Sequence, residues 1–198
     1  MISAPGAQND ADGVPGESTL TAYYHQIHRD WGWEEREGER DENGETALAL
    51  AEVEHVLGPT PRLGEMLVLG AGACRLPWEL HRRYADSTLA IDLNPVPFWV
   101  ASRILRGEAI ALFEFPIRPR STESVAVDRR LRLDVTADCA SRFKFAFADG
   151  LDPPVRPHAF DTVFTPWFID QIPKDLTEIF ATLHEYFRQV APGSTTGR

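Results

Sequence analysis

Residues 66–92 read MLVLGAGACRLPWELHRRYADSTLAID, and this stretch decides the fold. Met66 to Leu69 is a short, unbroken apolar run, as expected of a strand covered on both faces, and it enters a Gly70-Ala71-Gly72 turn. Pro77 to Tyr84 has helical spacing, with His81, Arg82 and Arg83 near its end, where positive charge suits the helix dipole. Leu89 to Ile91 is a second buried run and stops at Asp92. Strand, glycine turn, helix and strand begin a parallel sheet, because parallel neighbours can be joined only by a crossover.

Outward from this unit the alternation continues. Phe98 to Phe113 carries apolar residues at helix-like spacing and predicts a second helix. Phe115 to Asp138 holds prolines, arginines and the alternating Arg130-Leu131-Arg132-Leu133, which predicts an excursion with one edge strand. Phe143, Phe145 and Phe147 alternate with Lys144 and Ala146 as a third core strand, and Phe160 to Thr165 gives a fourth. Leu176, Ile179, Phe180, Leu183, Phe187 and Val190 share one helical face between Pro173 and Pro192-Gly193. Upstream, Ala47 to Leu57 predicts a helix stopped at Gly58-Pro59. The aromatic stretch TLTAYYHQIHRDWGW, residues 19–33, is suited to dock on the core, with Trp31 and Trp33 as anchors, and the acidic EEREGERDENGE after it is suited to water.

The expected fold class is α/β: a Rossmann-like, doubly wound, mainly parallel sheet with an N-terminal helical segment. Residues 1–17 read as a disordered leader, 18–62 as the helical segment and 63–198 as the sheet domain. A net charge of -10 argues against nucleic acid as a partner, since phosphate binding needs clustered positive charge. Two cysteines, Cys74 and Cys139, cannot build a disulfide framework, and neither they nor the six histidines show metal spacing, so no metal is expected. No apolar run is long enough for a bilayer and the N-terminus has no basic and apolar signal pattern, so the expectation is a cytoplasmic protein with no membrane partner.

Ligands of such sheets bind at the carboxyl ends of the strands. Gly70 and Gly72 let a ligand approach the main chain, and Asp92, 22 residues after Gly70, stands where a carboxylate can accept both hydroxyls of a ribose. A dinucleotide site wants a small residue at the third glycine position, where this chain has Arg75, which disfavours a pyrophosphate and hence NAD. S-adenosylmethionine, an adenosine ligand without phosphate, needs only the first two glycines and the acid. Asp149, in Ala148-Asp149-Gly150 after the third strand, can meet the adenine amino group. The plain structural alternatives are a tight turn at the glycines and backbone-amide acceptors at Asp92 and Asp149.

These features together resemble the class I S-adenosylmethionine-dependent methyltransferases, and within them the carnosine N-methyltransferase-like group. The resemblance is carried in order by QIHRDW, GER, GAGACRLPWEL, IDLNP, RLDV, ADG and DTVFTPWFID. It implies that Gln26 and Arg29 reach the cofactor from the N-terminal segment, that Gly70 borders its methionine part, and that Asp92 and Asp149 hold its ribose and adenine. It makes Asp170 the substrate-side and catalytic aspartate. Trp167 and Phe168 would wall the methyl site, where an aromatic face also suits a cation; an aspartate such as Asp170, just before a helix, also reads as a cap. Cys74 stands where the group has a further glycine, and the group's later strands, with a substrate-side histidine and tyrosine, have no counterpart before Arg198. The implied function is N-methylation of a small molecule or peptide, of the histidine-containing dipeptide type, by a C-terminally shortened chain. The alternative is a cofactor-binding module without catalysis that acts through a partner chain. Either way the fourth strand becomes an exposed edge open to self-association.

Overall fold

A computed structural model of the chain describes residues 17–32, 35–36, 39–40, 44–115, 120–133 and 137–188. Helix α1 (Glu17–Gly32) is followed by two short antiparallel strands, β1 (Glu35–Arg36) and β2 (Glu39–Arg40), and by α2 (Glu45–Leu57). Gly58, at φ +96°, ends α2 where the Gly58-Pro59 signal predicts. The sheet unit then runs β3 (Gly64–Leu69), α3 (Arg75–Tyr84), β4 (Ala85–Asp92) and α4 (Pro95–Leu105). After it come β5 (Ile110–Glu114), β6 (Val127–Leu131), α5 (Ala137–Ser141), β7 (Phe143–Phe147), β8 (Thr162–Phe164) and α6 (Leu176–His184).

Four strands form one parallel sheet in the order β7-β4-β3-β8. Alternation along each strand sorts its side chains to two faces. Met66, Val68, Ala90 and Phe143 join Ile27, Trp31, Leu50, Trp78, Leu80, Phe98 and Ile104, so α1 to α4 cover one face. Leu67, Leu69 and Ile91 point the other way and meet Ile179 and Leu183 of α6. Helices on both faces of a parallel sheet make the doubly wound architecture that the strand-helix alternation predicts.

Three boundaries differ from the sequence reading. The helix predicted over Phe98 to Phe113 stops at Leu105, because Gly107 takes φ +80° and its N–H returns to the Ile104 carbonyl at 2.8 Å. Ile110–Glu114 instead becomes β5, so the excursion holds an antiparallel pair, β5 and β6, and not a single edge strand. The last helix begins at Leu176 with Asp175 as its cap, the carboxylate accepting from Thr177 N–H at 2.8 Å, and ends at His184.

Past that helix the chain turns back beside the sheet. Phe160 N–H donates to the Tyr186 carbonyl at 3.1 Å and Arg188 N–H to the Phe160 carbonyl at 2.7 Å, one parallel rung just before β8. The β8 edge is therefore bordered at its start, while no further strand of the sheet lies beside Thr162–Phe164 among the described residues. Arg188 holds this return by donating to the Asp161 carboxylate at 2.8 Å and to Glu65. Glu17, the last residue of the expected leader, opens α1, while residues 1–16, Trp33, Val190 and Pro192-Gly193 lie outside the described residues. Among the described residues no helix is long and apolar enough to cross a membrane.

Candidate functional site

At the carboxyl ends of all four strands lies a cavity of about 470 Å³, a size suited to a small organic ligand. Its floor is the glycine turn. Gly70 and Ala71 N–H groups donate to the Ile91 carbonyl at 3.0 and 3.1 Å, pinning the turn to β4. Gly70, Gly72 and Cys74 all take left-handed backbone angles, φ +70°, +56° and +68°. At Gly72 a side chain is excluded by space as well, since a Cβ would lie 2.4 Å from Gln26 Nε2. Cys74, which stands where the resembled group has a further glycine, is fully buried. Burial, with the Asp30 and Asp92 charges, raises its thiol well above the usual range and leaves it inert.

Asp92 does two things at once. Its Oδ2 accepts the Gly72 N–H at 2.8 Å and its Oδ1 the Asn94 N–H at 2.9 Å, so it braces the turn. A carboxylate has about four acceptor sites, and the remaining two are those a pair of hydroxyls could use. Asp149 likewise accepts Leu151 N–H at 2.9 Å on Oδ1 and keeps Oδ2. The backbone-acceptor reading and the ligand reading are thus compatible at both positions.

Helix α1 closes the cavity from above. Trp31 Nε1–H donates to the Ala73 carbonyl at 2.7 Å, and Tyr23 donates to Asn94 Oδ1 at 2.9 Å, so α1 is tied to the loops after β3 and β4. This places Gln26 and Arg29, one helical turn apart, on the cavity. The loop after β8 closes the opposite side. Phe168 lies across Gly70 and Gly150, where added Cβ atoms would come within 2.9 and 2.7 Å of it. Trp167, at φ +53°, presents its ring to the Arg29 guanidinium 5.2 Å away.

The structure brings Gln26, Arg29, Gly70, Gly72, Asp92, Asp149, Trp167 and Phe168 to one cavity. Asp170 is different: it is exposed and absent from the lining. It sits in the 3-10 turn Ile169–Gln171, whose three-residue period aims Phe168 and Gln171 at the cavity and Asp170 away from it. It is not the cap of α6 either, a role taken by Asp175.

Glu45, Asn94 and Gln171 line the cavity without having been singled out in the sequence, and Asp30, which the sequence offers only as an ion-pair partner of Arg29, joins them. The Arg29–Asp30 pair, which as a sequence neighbour pair reads as a surface contact, is partly interior: Asp30 is 9% exposed and burial raises its carboxyl above the ordinary value, against the lowering effect of Arg29. Its sequence signals are its place in QIHRDW and a carboxylate one step from a predicted cavity residue. Among the described residues no three His, Cys, Asp or Glu side chains are grouped to hold a metal ion.

A parallel β7-β4-β3-β8 sheet with helices on both faces and a glycine turn after β3 is a Rossmann-like fold. No protein-family model matches the chain, and no curated protein matches it by sequence. Among solved structures it is similar to one assigned as a sarcosine dimethylglycine methyltransferase from Galdieria sulphuraria, with 16% identity, TM-score 0.53, and 84% of this chain and 56% of that one covered. It is also similar to an S-adenosyl-L-methionine-dependent methyltransferase structure from Methanococcus maripaludis (11% identity, TM-score 0.48, 96% and 64% covered). A third is Haemonchus contortus phosphoethanolamine N-methyltransferase 1 in complex with phosphoethanolamine and S-adenosylhomocysteine (14%, 0.47, 86% and 30%). The chain spans less than two thirds of the length of each of these proteins.

Proposed function

We propose that this chain is an S-adenosylmethionine-dependent methyltransferase that methylates a nitrogen of a small molecule or peptide, with histidine-containing dipeptides as the acceptor class its motifs suggest. The observation that supports this reading is the convergence of Gly70, Gly72, Asp92, Asp149, Gln26 and Arg29 on one cavity at the strand ends. The left-handed turn leaves room for a ligand against the main chain, and Asp92 and Asp149 each keep a free acceptor position toward ribose and adenine. When bound, the cofactor supplies a methyl group on a positively charged sulfur. What remains for the chain is to hold the acceptor nitrogen in line and unprotonated, and positioning alone can contribute about 7–11 kcal/mol. Trp167 and Phe168 wall the acceptor side, and Gln171 replaces Asp170 there as the polar group of the turn.

Calorimetric titration with S-adenosylhomocysteine and with NAD tests the cofactor. Binding of the first and not the second is expected. Asp149→Ala should weaken it about 10- to 100-fold, as loss of hydrogen bonds to a charged group does, and Asp92→Ala at least as much. Unchanged affinity in both variants, with the fold checked by circular dichroism, would sink the assignment. A labelled-methyl assay with histidine-containing dipeptides and cell extract then tests turnover.

A further inference from the structure

Among the described residues lining the cavity, Arg29 is the sole cation, against Asp30, Glu45, Asp92 and Asp149. Its guanidinium does not point into open space. It lies 5.2 Å over the Trp167 ring, 3.0 Å from Asp30 Oδ1 and 3.4 Å from Glu45 Oε2. An aromatic face flanked by carboxylates is the recognition chemistry for an organic cation. Here that chemistry is satisfied by the chain itself.

The turn that presents the ring is held in an uncommon shape. Trp167 is a bulky residue at φ +53°, where Cβ crowds the backbone, and Gln171 Nε2–H donates to its carbonyl at 2.9 Å. Trp167 is 45% exposed despite lining the cavity. Stacking by Arg29 joins this turn to α1 across the opening.

We propose that Arg29 is a latch: its side chain fills a cation subsite on Trp167 and vacates it when an anionic group enters the neighbouring side of the cavity, so that the cationic methyl acceptor binds after the cofactor. The identity of the anion, the cofactor's carboxylate, rests on the methyltransferase reading above. Asp30 and Glu45 already engage the guanidinium, so the entering carboxylate has to outcompete the ring and these two acids together, which a bidentate grip on the planar fork does. Once it moves, Asp30 and Glu45 remain around the vacated position as counter-charges, and another cation replaces what left. A subsite filled by Arg29 for nine tenths of the time binds its ligand about tenfold more weakly than a free one.

The full chain, labelled with nitrogen-15, is titrated with tetramethylammonium while the Trp167 indole N–H signal is followed by NMR, the signal being assigned by its loss in Trp167→Phe. Saturating S-adenosylhomocysteine should tighten tetramethylammonium binding about tenfold in the wild type. Arg29→Met should bind as tightly without S-adenosylhomocysteine as the wild type does with it, and should gain little when it is added. Arg29→Lys, which keeps charge but loses the flat stacking surface, should fall between the two, and it serves if the methionine variant does not fold. Equal tetramethylammonium affinity in wild type and both variants would overturn the latch. So would a wild type that binds S-adenosylhomocysteine with no change in tetramethylammonium affinity. If S-adenosylhomocysteine does not bind at all, the methyltransferase reading fails, while the wild-type and variant affinities still decide the latch.

Discussion

The two faces of the parallel sheet are filled unequally. Among the described residues, twenty buried residues form one cluster on the side of α1 to α4, while on the side of α6 six do. The segment between β7 and β8, residues 148–161, supplies no helix to the thinner side. The site inherits the difference. Gln26, Gly72 and Asp92 belong to elements locked by the thick face, whereas Trp167, Phe168 and Gln171 sit on a turn backed by the thin one. A firm wall on the side of α1 and the glycine turn and a more yielding one on the side of the Trp167 turn follow from how much apolar area stands behind each.

The largest effect expected is in the core of the thick face. Leu80→Ala, at a fully buried position, should cost about 3–5 kcal/mol in a denaturant titration, and Leu183→Ala on the thin face about 2–3, because its surroundings are looser and collapse more readily. Equal costs would break the comparison. Glu79 is next. It is 2% exposed on α3 and pairs with Arg75, Arg82 and Arg83. Glu79→Ala should cost about 1–3 kcal/mol, less than a wholly buried pair, since Arg82 and Arg83 can return to water.

The contact of α1 with the glycine turn sharpens the comparison further. Gly72→Ala combines a left-handed φ with a clash on Gln26 and should cost about 1–2 kcal/mol, and Gln26→Ala in the same chain should recover the clash but not the backbone strain. Full recovery would show that space alone requires the glycine. The smallest effect is electrostatic. His81 places Nδ1 3.0 Å from the Thr88 hydroxyl and Nε2 3.0 Å from the Cys139 carbonyl, which can only accept, so Nε2 carries the proton and Nδ1 accepts from Thr88. Burial holds its pKa below the ordinary value of 6.5, with Arg142 adding to the effect. The unfolded chain then takes up a proton that folded His81 refuses, so this stability is complete above the unfolded value and is lost as pH falls below it. The urea midpoint should drop between about pH 7 and about pH 5.5, and His81→Gln should flatten that slope.

Local signals carried the parts of the fold that local geometry controls. Met66–Leu69, the glycine turn and Asp92 were legible because a buried parallel strand needs an apolar run and a tight exit needs residues tolerant of positive φ. The end of α4 was not, since Ile104, Leu105, Ile110 and Leu112 continue one apolar pattern across Gly107, and periodicity cannot distinguish a helix from a turn followed by a strand. Phe187 misled in the same way: it extends the helical stripe, yet its segment pairs with Phe160.

Composition, the strand-glycine-helix order and the acids at strand ends were determined by the sequence itself, for each depends on neighbours within a few residues. Only the tertiary structure decided that α1 lies over the glycine turn, that Arg29 rests on Trp167, that Asp30 and Glu45 share the cavity and that Asp170 does not. Those relations join residues far apart in the chain, and they are set by which apolar faces find each other when the sheet closes.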